Sequence, residues 1–320
     1  RYKSEQKGTY KADSKKGKHA GSEILPFAYK GNGACSKHNR NSHNECEVCR
    51  CPVAETEQNP AGNSGSGARK RVSGAGFAIS GAGSTTTLVD ADGLFRVFEV
   101  FSGNTVNLSG MTITGGQGSG AGIINAGTLT LTEVAVIGNT AADGANGGGI
   151  ANTASGVLTI DRSTISDNHA NDGGGIDNQG TLTVTNSTIS GNELTHNEGS
   201  SANGGGILSG GPSASLTIEN STIVGNFSST ATAVGAGVYN AQGTATVTHS
   251  IIAGNTIDDP RKDVTGAFTS NGHNIIGDVG PATGFTDGVN GDIVGTSGSS
   301  VDPKLGPLQD NGGPTLTHLP

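Results

Sequence analysis

The sequence predicts an all-β fold, a right-handed parallel β-helix (a solenoid) with a separate irregular N-terminal arm. The chain contains 55 Gly among 320 residues, no Trp and 4% aromatic residues, which is too few bulky side chains for a compact layered core. Residues beyond the arm repeat one motif every 24 to 34 positions. The apolar residues keep a fixed register within each repeat, which a disordered Gly-rich chain does not require.

Charge and cysteine content divide the chain near residue 71. Residues 1–71 hold 14 Lys and Arg against 7 Asp and Glu, whereas residues 72–320 hold 5 against 20. We therefore expect a basic, Cys-containing arm and linker at 1–71 and a parallel β-helix of about eight coils at 72–320. The acidic body has no basic stripe, which argues against a nucleic-acid partner. The sequence contains no apolar run of about 18 residues, so we expect no direct transmembrane segment.

The repeat is defined by five segments that each end in Asn, of which GGGIDNQGTLTVTNSTISGN is typical. A period in this range is typical of solenoids, in which each unit buries its inner face against its neighbours. Alternate apolar residues in TLTVT indicate a strand with one buried face. We expect three short strands per coil, at GGGI, at TLTVT and at STISGN, with Gly and Asn at the bends.

Three apolar columns follow from the alignment of these segments. We expect their side chains to point inward and to form a continuous core. Four of the eight Phe fall in the first turns, where we expect them to close the end of the stack. The columns are Leu129, Leu158, Leu182, Leu216 and Ala245; Leu131, Ile160, Val184, Ile218 and Val247; and Val136, Ile165, Ile189, Ile223 and Ile252, and the four aromatic residues are Phe77, Phe95, Phe98 and Phe101.

Two columns of Asn accompany the apolar columns. Stacked side-chain amides can hydrogen-bond to one another and to the backbone at bends, which favours a structural ladder. The other reading is a row of polar groups that binds glycan hydroxyls. The main ladder is Asn139, Asn168, Asn192, Asn226 and Asn255, and the second column is Asn125, Asn152, Asn178 and Asn240.

Charged residues that interrupt the outer columns are weak candidates for catalysis. Glycoside hydrolysis needs a pair of carboxyl groups, and a lyase needs bound Ca²⁺ and a strong base. The simpler account of the arginine is an exposed ion pair with Glu133, one coil earlier in the same column. The candidates are Asp161, Arg162, Asp167, Asp172 and Asp177.

The connections between the last Asn of one unit and the next glycine cluster vary in length. Insertions in a solenoid map to one side, which is often the binding side. These loops therefore predict a binding face, and the alternative is tolerated slack at the surface. The face would contain Asp143, Asn146, His169, Asp172, Glu193, His196, Glu198 and Phe227.

The arm contains four Cys and two nearby His. Two disulfides are favoured for an exported protein, and the alternatives are a tetrahedral Zn²⁺ site and unpaired thiols. We expect no cofactor, with Ca²⁺ or Zn²⁺ as the open alternatives. The arm's cations could bind an anionic surface or the acidic body of a second copy, which is a route to self-association. The residues are Cys35, Cys46, Cys49 and Cys51, with His38 and His43.

Two sets of motifs resemble known bacterial families. GGGI-x-N and I-x-x-N resemble the GGA[ILV] and FxxN repeats of polymorphic outer-membrane proteins, with Ile in place of Phe. The stretches 271–278 (NGHNIIGD) and 302–318 (DPKLGPLQDNGGPTLTH) resemble choice-of-anchor Q proteins. The resemblance implies an exported, surface-associated β-helix that serves adhesion or display.

Together these observations predict an extracellular or bacterial cell-surface scaffold. It would bind a glycan, a surface or a protein partner through one loop-lined face. A polysaccharide lyase or glycoside hydrolase on the same fold is the first alternative, because a fold does not determine a function. A structural subunit of an extracellular filament or sheath is the second.

Overall fold

The computed structural model describes residues 76–195, 203–228, 234–257 and 263–320. The four Cys, His38 and His43 of the arm lie outside these ranges, as do His196 and Glu198 of the predicted binding face. Within the described ranges the chain forms strands and turns and no helix. No helix that could span a membrane is therefore present in that part of the chain.

Twenty-six short strands make up the described chain. In chain order they are β1 (Phe77–Ser80), β2 (Leu88–Asp90), β3 (Phe98–Val100), β4 (Thr105–Thr114), β5 (Ile123–Asn125), β6 (Thr128–Ile137), β7 (Ile150–Asn152), β8 (Val157–Asp161), β9 (Thr164–Ser166), β10 (His169–Ala170), β11 (Ile176–Asn178), β12 (Thr181–Thr185), β13 (Thr188–Ser190), β14 (Glu193–Leu194), β15 (Ile207–Ser209), β16 (Ser215–Glu219), β17 (Thr222–Val224), β18 (Phe227–Ser228), β19 (Val238–Asn240), β20 (Thr244–Thr248), β21 (Ile251–Ala253), β22 (Thr256–Ile257), β23 (Val264–Gly266), β24 (Thr269–Ser270), β25 (Ile275–Ile276) and β26 (Ile293–Val294).

The strands pair in parallel and form three sheets along a solenoid of about seven turns. A seven-stranded sheet contains the GGGI strands in the order β23-β19-β15-β11-β7-β5-β3, and a fifteen-stranded sheet contains the TLTVT and STIS strands. A four-stranded sheet, β10-β14-β18-β22, lies between them in the path of each coil. The predicted parallel β-helix is confirmed, with about seven turns where about eight coils were expected.

The apolar columns have the predicted register. Leu158 pairs with Leu129 on one side and Leu182 on the other, and Ile165 lies between Val136 and Ile189. All fifteen residues of the three columns are at most 3% exposed and belong to one core cluster. Their outward neighbours are mostly Thr, which suits the solvent face of a strand.

The ends of the core are closed by aromatic side chains. Of the four Phe expected to close the first turns, Phe77 and Phe98 pack half-buried against the core, whereas Phe95 and Phe101 are not part of it. At the other end the rings of Phe268 and Phe285 lie 5.3 Å apart and are almost fully buried. These rings cover the edges that a stack of identical coils would leave open.

The hydrogen bonds of the main Asn ladder all point the same way along the interior of the solenoid. In each rung the backbone N–H and the Nδ2 of one Asn both donate to Oδ1 of the next, at 2.8 to 3.1 Å. The remaining amide hydrogen of Asn192 donates to the carbonyl of Ile165, at 3.0 Å. All five Asn are fully buried, so the structural reading of this column is confirmed.

The ladder ends on a carboxylate. Oδ1 of Asp263 accepts from the backbone N–H and from Nδ2 of Asn255, at 2.7 and 2.8 Å. Asp263 aligns with Gly237 in the preceding coil, a position at which a side chain would lie 2.7 Å from the Asn255 amide. The last coil has no further Asn in this column, so an Asp from the glycine column fills that space and accepts the last hydrogen bonds of the ladder.

A second polar ladder was not anticipated from the sequence. Backbone N–H groups donate to serine hydroxyls one coil further on, as from Ser163 to Ser187 and from Ser187 to Ser221, at 3.0 and 3.1 Å. This column continues through Ser250 and Asn274 and also ends on a buried aspartate, Asp292. The signal was present in the Ser of S-T-I, which precedes each third-column Ile by two residues.

The predicted second Asn column forms only in part. Nδ2 of Asn125 donates to Asn152, and Nδ2 of Asn152 donates to Asn178, both at 2.8 Å. Ser209 takes the next position, and Asn240 donates instead to the carbonyl of Ala267. The shorter serine side chain ends the amide series at that coil.

The direction of the main ladder generates a prediction for Asn192→Asp. The variant can still accept from Asn168, but its second oxygen faces the carbonyl of Ile165 and Oδ1 of Asn226 without a hydrogen to donate. We expect a loss of about 3 kcal/mol or more in the free energy of unfolding at pH 7, measured by urea titration. Asn220→Asp, at an exposed corner, is the matched control and should change it by less than about 0.5 kcal/mol. Equal losses in the two variants would contradict a directional ladder.

Candidate ligand-binding groove

The outer face of the seven-stranded sheet presents one side chain from each strand. The first and third residues of I-x-N point inward and are buried, so the middle residue points outward. Ala151, Asp177 and Leu208 are nonetheless at most 8% exposed. The outward column is Glu99, Ile124, Ala151, Asp177, Leu208, Tyr239 and Thr265.

Two cavities lie along this column and meet at Ser119. A cavity of about 500 Å³ has Ile124, Ala151 and Asp177 on its floor. A cavity of about 260 Å³ lies at the first turns and contains Glu99. We call the two together the groove. Its lining residues come from successive coils, so a ligand that fills the groove would cross several of them.

Arg96 holds the junction of the two cavities. Its guanidinium donates to the carbonyl of Ser119 at 2.6 and 2.9 Å and to that of Gly120 at 3.2 Å. The same group forms an ion pair with Glu99 at 3.2 Å. Of the described residues that line the groove, Arg96 alone is cationic, and its charge is already matched by Glu99.

Two acidic residues come together in the groove. Oδ1 of Asp177 accepts from Nε2 of Gln179 at 2.7 Å, and Asp177 also accepts a hydrogen bond from the Asn146 side chain. Asp172 lies near enough for its charge to act on Asp177, and its own Oδ1 accepts from Nδ2 of Asn203 at 3.0 Å. The structure thus joins Asn146 and Asp172 of the predicted binding face with Asp177 of the catalytic candidates.

Burial raises the pKa of Asp177 from 3.8 to about 6, with a smaller increase from the charge of Asp172. The hydrogen bonds from Gln179 and Asn146 act in the opposite direction. A carboxyl group with a raised pKa in a cleft, next to a second carboxylate, is typical of functional sites.

Three residues of the predicted binding face lie in strands, and their placement in loops was wrong. His169, Glu193 and Phe227 begin β10, β14 and β18 and align as one column on the four-stranded sheet. Nδ1 of His169 lies 3.0 Å from Oε2 of Glu193. The apolar residue that follows in two of these strands, Ala170 or Leu194, is buried, and this two-residue alternation is too short to indicate a strand from sequence. Asp143 is exposed in the bend beside the groove.

The remaining catalytic candidates lie elsewhere on the coil. Arg162 occupies a corner of the fifteen-stranded sheet, where it pairs with Asp161 at 2.5 Å and with Glu133 at 3.1 Å. The predicted ion pair with Glu133 is therefore confirmed. Asp167 is exposed at the bend before the four-stranded sheet, with φ of 53° where the next coil has Gly191 at 66°. Neither Arg162 nor Asp167 lies next to Asp177 along the coil.

The described residues contain no group of three or more His, Cys, Asp and Glu side chains placed to hold a metal ion. The four Cys of the arm fall outside that search. The groove offers two carboxylates and several amides, which suit hydrogen bonding to hydroxyl and amino groups.

Sequence reasoning missed Gln179, Arg96 and Glu99. Gln179 directly follows a ladder Asn and reads as a turn residue, and its bond to Asp177 depends on the local backbone path. Arg96 and Glu99 precede the first clear repeat. A usable signal was the middle position of G-I-x-N, where Asp177 stands among apolar residues.

The raised pKa values predict a pH dependence of stability. The unfolded chain loses the protons of Asp177 and Asp263 near pH 3.8, whereas the folded chain keeps them to about pH 6, since burial also raises the pKa of Asp263 to about 6. The folded state therefore binds more protons in this window, and each group lowers stability as pH rises from about 4 to about 6, by on the order of 3 kcal/mol.

The variant Asp177→Asn tests the contribution of Asp177 to this pH dependence of stability. The amide keeps the acceptor for Gln179 and carries no charge, so the variant should be more stable than the parent at pH 7 and nearly equal to it at pH 4. Urea unfolding of both proteins at pH 4, 5, 6 and 7 measures the difference. A difference that does not change with pH would show that Asp177 titrates normally.

Comparison with protein families agrees with this architecture. A family model described as a right-handed β-helix region matches residues 97–278, which is more than half of the chain. Searches of curated proteins and of solved structures gave no significant match. The matched range includes β3 to β25 and Asp177 at the centre of the groove. The chain belongs to the right-handed β-helix family.

Proposed function

We propose that this chain is an exported bacterial surface protein that binds an extended glycan along the groove. The observation that carries the proposal is the groove floor. It places the nearly buried carboxyl group of Asp177 next to Ala151, with the apolar side chain of Ile124 one coil beyond Ala151. Apolar surface suits the C–H faces of sugar rings, and convergent carboxyl and amide groups suit their hydroxyls.

Charge limits the class of glycan. The groove contains Glu99 and Asp177, with Asp172 close by, and Arg96 is engaged by Glu99. Residues 72–320 hold 20 acidic residues against 5 basic ones. An acidic polysaccharide would meet a repulsive field at this face. We therefore expect the ligand to be a neutral glycan or one that carries amino groups.

The location at a bacterial surface rests on the motifs. The repeats GGGI-x-N and I-x-x-N and the stretch at 302–318 resemble those of exported, surface-associated β-helices. Membership in the right-handed β-helix family is compatible with that location and with other ones. Adhesion or display is the corresponding role.

Binding to oligosaccharides tests the proposal. Calorimetric titration of the full chain with neutral, amino-sugar and acidic oligosaccharides should give binding for one of the first two classes and none for the third. Asp177→Ala should weaken that binding at least tenfold, because it removes a desolvated acceptor at the centre of the groove.

The matched control is Asp167→Ala, which removes an exposed carboxylate of the same coil and should leave the affinity unchanged. Binding of acidic oligosaccharides, or equal affinity of the parent and Asp177→Ala, would rule out recognition through this groove.

Glycoside hydrolysis is a second candidate, favoured by the proximity of Asp172 and Asp177. Such hydrolysis uses one carboxyl group that is protonated and one that is ionised. Asp177 holds its proton to about pH 6 because it is buried and because the charge of Asp172 opposes its ionisation.

Release of reducing ends at pH 5 to 6, from whichever oligosaccharide binds, tests hydrolysis. The rate should fall roughly 10²- to 10⁴-fold in Asp177→Asn and stay the same in Asp167→Asn. An oligosaccharide that binds in the groove and is never cleaved would leave binding alone as the function.

A further inference from the structure

The last residues of the chain form a small hairpin. The backbone N–H of Gly306 donates to the carbonyl of Leu319 at 2.7 Å, and Gln309 and Thr317 exchange two backbone hydrogen bonds at 3.0 and 3.1 Å. Nδ2 of Asn311 donates to the carbonyl and the hydroxyl of Thr317, at 2.9 and 3.1 Å. The hairpin, residues 306–319, is thus held together by its own bonds.

The hairpin lies lengthwise on the outside of the solenoid rather than continuing it. Thr164 Oγ1 donates to the carbonyl of Leu316 at 2.6 Å, and Ser190 Oγ lies 2.9 Å from Nε2 of His318. The hydroxyl of Thr315 donates to a carbonyl of the neighbouring corner at 3.3 Å. These contacts join residues that are 128 to 153 positions apart in the chain.

The surface under the hairpin has a distinctive composition. The outward residues of β9 and β13 are Thr164, Ser166, Thr188 and Ser190, and none is more than 5% exposed. In the next coil the matching residues are Thr222 and Val224, which are both more exposed, and Ile251 follows Thr222 one coil later. We call the four small hydroxyl residues the track. Their small size lets a second chain segment approach closely, and the hydroxyls of Thr164 and Ser190 bond to it.

The far end of the hairpin meets the beginning of the solenoid. The hydroxyl of Ser84, in the bend after β1, donates to the carbonyl of Pro314 at 2.6 Å. The first turn and the last residues of the chain therefore touch, 230 positions apart. Because the four bonds between hairpin and solenoid all use side chains, neither partner completes a sheet of the other.

We infer that the track is a polypeptide-binding site whose ligand is the hairpin of residues 306–319, docked as a preformed unit. The hairpin has backbone hydrogen bonds of its own, and the track belongs to strands whose backbone pairing is complete without it. Docking in the same chain benefits from a high effective concentration. The same hairpin supplied as a separate molecule should bind a solenoid that lacks it.

The test uses the chain shortened after Asp302 and a labelled synthetic peptide of residues 303–320. Fluorescence anisotropy should show saturable binding to the shortened chain and none to the full chain, whose track is occupied. Thr164→Val with Ser190→Ala, made together in the shortened chain, should weaken binding about tenfold or more. Thr181→Val with Ser215→Ala, outward hydroxyls on the other half of the same sheet, should leave it unchanged.

Two results would overturn the inference: a shortened chain with the circular dichroism of the parent that does not bind the peptide, or equal binding by the shortened and full chains. If the shortened chain does not fold, hydrogen exchange in the full chain tests the inference instead. There the track pair Thr164→Val and Ser190→Ala should speed exchange at the amides of Gln309 and Thr317, and the control pair should not. Unchanged protection in the track pair would also refute docking.

Discussion

A narrow solenoid removes backbone and side-chain amides from water, so each must find its partner within the stack. The Asn ladder satisfies this requirement and gives the stack a direction, because both N–H groups of one rung donate towards the C-terminal end. A series of donors must end on a group that only accepts. Asp263 and Asp292 accept the last hydrogen bonds of the two ladders.

The ladder also explains the glycines around it. At Gly149, Gly175 and Gly206 an added Cβ would come within 2.6 Å of a backbone carbonyl of the next coil and within 3.0 to 3.1 Å of an Asn nitrogen. Where the last Asn has no successor, the same column carries Asp263. Glycine in this column is thus a steric consequence of the close approach of successive coils and of the amide ladder, and the outer faces remain free to differ between coils. Asp177 and its groove use that freedom.

The periodic parts of the structure could be predicted from sequence and the rest could not, for physical reasons. Leu158 and Asn168 recur at fixed spacing, so their inward direction follows from alternation alone. Asp172 and Asp177 come together through the path of a glycine-rich bend, which has no periodic signature. The strand at His169 is too short to alternate, and the contact of His318 with Ser190 joins segments 128 residues apart. Local pattern carries no information on such distant contacts.

The hairpin has a consequence for how this solenoid can lengthen. A duplicated coil inserted after β17 would preserve the donors and acceptors of every ladder. It would also carry the hairpin about 4.8 Å along the axis, so that it would meet Thr188 and Val224 in place of Thr164 and Ser190. Valine cannot bond to His318. The hairpin can therefore form its contacts with the track only when the number of coils between the track and the C-terminus is the present one.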